Sequence, residues 1–116
     1  MIDKPYYREM LKKERLVSFY SKEKLVAFVT FYIGGMDEQN KFFRKDSWEI
    51  LDDNKDGSVC YIDQLINKDK TNLKEFFRGW IYFKSYLKKS FRNVRYVCWR
   101  RWNKKTNKVN FYSKEI

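Results

Sequence analysis

The run at residues 25–33, LVAFVTFYI, is apolar except for Thr30. A strand with one solvated face alternates apolar and polar side chains, and this run does not, so both of its faces must be covered. Its β-branched and aromatic residues favour a strand over a buried helix. It is expected to be a central strand, ended by Gly34 and Gly35.

The flanking segments supply the rest of an α+β plan. Asp3 and Pro5 suit a helix start, and Tyr6, Tyr7, Met10 and Leu11 recur at helical spacing, which predicts a short helix over 4–14. Residues 15–21 read as a strand and 21–24 as a polar turn. Residues 36–57 are mixed, with one helical turn expected through Trp48, Ile50 and Leu51 after Asp46 or Ser47, and a turn at 52–57. Residues 58–66 (SVCYIDQLI) read as a strand. Residues 73–89 carry the strongest helical pattern, a stripe of Leu73, Phe76, Phe77, Trp80, Ile81, Phe83 and Leu87, with Asn72 as cap and Glu75 reaching back to it. Residues 94–102 and 108–113 read as two antiparallel strands joined by a turn at 103–107. The expected fold is a single 116-residue α+β domain. Its sheet is mixed and mostly antiparallel, with one long amphipathic helix and a short N-terminal one.

Composition narrows the function. Hydrophobic residues make up 43% and aromatics 20% of the chain, enough to build a core without disulfides. No apolar run reaches the roughly 20 residues of a membrane span, and the first ten residues lack the apolar centre of a secretory signal. No membrane partner and a cytoplasmic location are expected. Cys60 and Cys98 lack metal-ligand spacing and read as buried thiols. The chain has no histidine, which excludes Ser-His-Asp and Cys-His hydrolases and His-ligated zinc. Acid–base chemistry falls to Asp, Glu, Tyr, Lys, Cys or the backbone.

The net charge of +11 is unevenly placed. Residues 1–66 hold 11 Lys and Arg against 12 Asp and Glu, whereas residues 67–116 hold 15 against 3. Such a field attracts polyanions: a phosphorylated cofactor, nucleic acid or an acidic protein.

The order of elements (hairpin, strand 58–66, helix 73–89, strand 94–102) resembles the GNAT superfamily of N-acetyltransferases. There a hairpin leads to a long strand, then a loop and helix, then a strand parallel to the first. The resemblance covers residues 14–113 and implies acyl transfer from acetyl-CoA to an amine. That family holds the cofactor pyrophosphate on a loop patterned Arg/Gln-x-x-Gly-x-Gly/Ala at a helix start. The matching stretch here, after Ile66, contains Lys68, Lys70, Thr71 and Asn72 and lacks both glycines, so side chains would contact the phosphates. The resemblance further implies Asp63 as general base, or Gln64 if the register slips by one. Tyr112 is the implied acid for the leaving thiolate.

Two other patterns carry chemistry. Asp52, Asn54, Asp56, Gly57, Val59 and Asp63 match a calcium-loop spacing, but Asp, Asn and Gly are also what a tight turn uses, and the loop is read as a turn. The C-terminal strands mix Trp99 and Trp102 with Arg95, Arg100, Arg101, Lys104, Lys105 and Lys108. With Arg78 on the helix, these arginines and lysines are the candidate contacts to nucleic acid or another anion. Tyr96, Cys98 and Trp102 are expected on one face of their strand and Val97 and Trp99 on the other, as core. The alternative to the enzyme is thus a basic binding module for nucleic acid or an acidic protein, of the kind a phage or mobile element carries as an accessory.

Overall fold

The computed structural model describes residues 4–67 and 73–116. The elements follow in the order α1 (Lys4–Lys12), β1 (Leu16–Ser21), β2 (Lys24–Gly34), α2 (Gln39–Phe43), β3 (Val59–Asn67), α3 (Leu73–Ser90), β4 (Tyr96–Asn103) and β5 (Lys108–Glu115). The five strands form one mixed sheet in the order β1-β2-β3-β4-β5. β3 and β4 are parallel and joined through α3, and the other neighbours are antiparallel.

Both faces of β2 are covered, as its apolar run demands. Phe31 and Ile33 face one core with Val29, Cys60, Phe83, Leu87 and Val97, beneath α3. Tyr32 faces a second core with Tyr6 and Met10 of α1, Phe42 and Phe43 of α2, and Tyr61 and Cys98. Each fully buried large side chain contributes about 1.5–3 kcal/mol through burial.

Three sequence expectations are corrected. The helical turn placed at 46–51 is a single bonded turn, with the Glu49 N–H on the Asp46 carbonyl (3.0 Å). The helix of this region lies upstream, at α2, where it buries Phe42 and Phe43. The apolar stripe of α3 is only partly used: Phe83 and Leu87 are buried, whereas Phe77 and Ile81 remain largely exposed. β4 alternates as expected, with Cys98 in one core and Val97 in the other, but Trp102 projects beyond the core. The expected caps Asp3 and Asn72, and the side chains of Leu73, Glu75 and Phe76, lie outside the described residues.

The loop at 52–57 anchors rather than decorates the fold. Arg15 makes a forked ion pair with Asp53, Nε to Oδ2 at 2.7 Å and Nη2 to Oδ1 at 3.0 Å. Asp53 Oδ2 also accepts the Ile33 N–H at 2.7 Å. Gly57 packs against the backbone of Gly34, where a Cβ would collide with the Gly34 carbonyl. The acidic residues of the calcium-like pattern are therefore dispersed. Asp52 lies 3.3 Å from Lys13, the Asn54 side chain accepts the Asp56 N–H at 2.9 Å, and Asp63 belongs to another cluster.

Candidate functional site

β3 and β4 pair only at Val59–Tyr96, Cys60–Val97 and Tyr61–Cys98. Beyond that point the strands diverge, although β3 runs on to Asn67 and β4 to Asn103. A local irregularity accompanies the divergence. Phe31 of β2 faces Ile62, but Thr30 faces Gln64, so Asp63 is the extra residue of a bulge. Bulges bend the strand that carries them and re-aim a side chain.

The opening between the strands continues beneath α3 as a cleft of about 570 Å³. Its walls are Val29, Ile62 and Leu65 on the sheet, Phe77, Trp80 and Phe83 on α3, and Trp99 on β4. Among the described residues, Asp63, Arg100, Arg101 and Lys114 are the charged residues of its lining. This size and this mixture of apolar walls with few polar groups are typical of a small-molecule site.

At the bulge sits a buried charge cluster. The side chains of Asp63 and Lys45 are each 1% exposed, and they meet at 3.0 Å through Asp63 Oδ2. Tyr6 donates its hydroxyl to the same oxygen, and that hydroxyl lies 2.8 Å from Thr30 Oγ1. Lys45 also donates to the carbonyls of Asp46 (3.2 Å) and Ser47 (3.3 Å), so its ammonium is held by three oxygens. Arg100 reaches from β4 across the gap, with Nη2 3.9 Å from Asp63 Oδ1, and donates from Nη1 to the Phe43 carbonyl. Asp63 Oδ1 is buried and has no hydrogen-bond partner among the described residues. A buried oxygen of this kind is costly unless a ligand or water satisfies it. Burial, reinforced by the Asp63 carboxylate, pushes the Tyr6 hydroxyl far above the ordinary tyrosine range, so it remains a donor.

The candidate residues separate. Asp63, Arg100 and Arg101 meet at the cleft, and Gln64 sits beside it, bonded through its N–H to Thr30 Oγ1 (3.1 Å). Tyr112 stands opposite Trp99 on β5, its ring stacked on that indole at 5.7 Å, outside the cleft lining. Ile66 is half-buried and pairs with Phe28 of β2. Arg78 lines an adjoining groove with Phe19 and Tyr82, Arg95 is exposed ahead of β4, and Lys104 and Lys105 sit at the hairpin tip. Lys68, Lys70, Thr71 and Asn72 lie outside the described residues.

Lys45, Tyr6 and Thr30 escaped the sequence reading. The available signal was Asp63 itself, a carboxylate within the apolar stretch VCYIDQLI, which requires a cationic partner if buried. Nothing in the sequence says which lysine supplies it. No protein-family model matches this chain, and comparison with curated proteins returns no match.

Proposed function

We propose that the chain is an acyl-CoA-binding domain of the acetyltransferase type, in which an acyl group passes from a thioester to an amine. The observation that carries this reading is the divergence of β3 from β4 after three paired residues, which opens an apolar cleft with a buried carboxylate in its lining. An extended pantetheine arm suits such a slot: its chain packs on Ile62, Leu65, Trp80 and Trp99, and its amides can pair with the exposed edges of the separated strands. Arg101 and Lys114 place positive charge in the lining for the cofactor's phosphates. Asp63 Oδ1 is the free lone pair of the cluster, held in position because Tyr6 and Lys45 occupy Oδ2. In the transfer step the neutral amine attacks the thioester carbonyl, the C–S bond breaks, the amine proton passes to Asp63, and the thiolate leaves.

Calorimetric titration with acetyl-CoA tests the reading. Saturable heat, with a matching rise in melting temperature, is expected. Leu65→Glu, at an exposed position of the lining, should weaken binding at least about tenfold, a loss of about 1.4 kcal/mol. Neither heat nor a melting shift at about 1 mM acetyl-CoA, the upper range of ordinary substrate affinities, would contradict it.

A further inference from the structure

The hairpin β4–β5 has a second face, turned away from α3. Residues 92–114 contain eight Lys and Arg and no Asp or Glu. On this face Trp102 pairs across the strands with Val109, and Arg100 with Phe111. Trp102 is 53% exposed and Phe111 49%. Phe111 is a braced ring: it stacks at 5.7 Å and 11° on Phe43, which is itself buried edge-on against Tyr61. Exposed cations neighbour these rings along the chain: Arg44 follows Phe43, the partner of Phe111, and Lys104 and Lys105 follow Trp102 at the hairpin tip. Phe111 and Trp102 lie outside the lining of the cleft, so this surface does not serve that site.

We infer that this face binds single-stranded nucleic acid, with bases stacking on Trp102 and Phe111 and phosphates meeting Arg44, Lys104 and Lys105. A strongly cationic hairpin whose one acidic residue, Glu115, lies at the end of β5 away from the tip selects a polyanion. Exposed aromatic rings, of which Phe111 is braced from beneath by Phe43, select unpaired bases, because a base inside a duplex has no free face to offer. An acidic protein would satisfy the cations and leave the rings without a matching partner.

Fluorescence anisotropy of a labelled oligothymidylate of about 16 nucleotides tests this, with a duplex of equal length and polyglutamate as competitors. Binding should be firm at ~50 mM salt and fall steeply as salt rises. The double variant W102A/F111A should bind at least about tenfold more weakly, and K104Q/K105Q should flatten the salt dependence. On the wild-type protein, base stacking should quench fluorescence by an amount that W102F abolishes, a readout independent of how the double variant folds. No binding at low salt overturns the inference. So does tighter binding of duplex or polyglutamate, undiminished binding by a folded W102A/F111A, or quenching unchanged in W102F.

Discussion

Asp53 shows how much one residue of a polar turn can hold. Its carboxylate takes both prongs of Arg15 and the N–H of Ile33, while the Arg15 guanidinium lies 4.8 Å over the Phe91 ring. The pair is nearly buried, with side chains 10% and 7% exposed. Asp53→Ala leaves an uncompensated buried charge and should destabilise the protein by about 3–5 kcal/mol in urea unfolding. Asp52→Ala, next to it and exposed, should change stability by less than about 0.5 kcal/mol. The sequence made these two residues equivalent, because an aspartate in a DDNKDG stretch looks the same whether it faces water or a buried arginine. The pairing of Lys45 with Asp63 was illegible for the same reason: only the tertiary fold brings them together.

The buried acids of the core set a second expectation at this scale. Burial pushes the Cys60 thiol well above its ordinary 9.0, and raises Cys98. Burial also pushes the Tyr32 and Tyr61 hydroxyls from 10.0 to about 12. In each case the folded chain holds its proton more tightly than the unfolded chain. The stability that this confers is complete below pH about 9 and is lost as pH rises towards about 12. The urea midpoint should therefore fall between those limits, and both thiols should react with a disulfide reagent at neutral pH only after unfolding. A midpoint that rises with alkalinity would contradict this.

Among the elements, those with a strong period were readable and those shaped by contact were not. β2, β3 and α3 announce themselves through apolar runs of the right length. α2, the five residues QNKFF, has no side-chain cap and no periodic stripe, and exists because Phe42 and Phe43 pack on Tyr32 and Tyr61. The bulge at Asp63 is equally silent in sequence, since it depends on how β3 sits against β2. Two glycines separate contact from propensity. Gly57→Ala drives a Cβ into the Gly34 backbone and should cost about 1–3 kcal/mol in chemical denaturation. Gly79→Ala, inside α3, places its Cβ 3.7 Å from Phe19 in ordinary contact and should stabilise by about 0.5–1 kcal/mol.

At the scale of the whole molecule, the charge asymmetry is distributed over two faces of the fold. The balanced N-terminal part supplies α1, α2 and the first three strands, and it contributes Asp63 and Lys45 to the cluster at the bulge. The cationic C-terminal part supplies α3 and the terminal hairpin. Beneath α3 that charge rims an apolar cleft; on the other face of the hairpin it surrounds exposed rings. The positive charge of this half is thus spread over two surfaces of different composition. The proposed place of an acyl-CoA is the gap between β3 and β4. Amide chemical-shift mapping during an acetyl-CoA titration tests it most directly. Saturable shifts are expected at Ile62, Asp63 and Leu65 on one strand and at Trp99, Arg100 and Arg101 on the other. Shifts confined to the hairpin tip, or none at all, would contradict it.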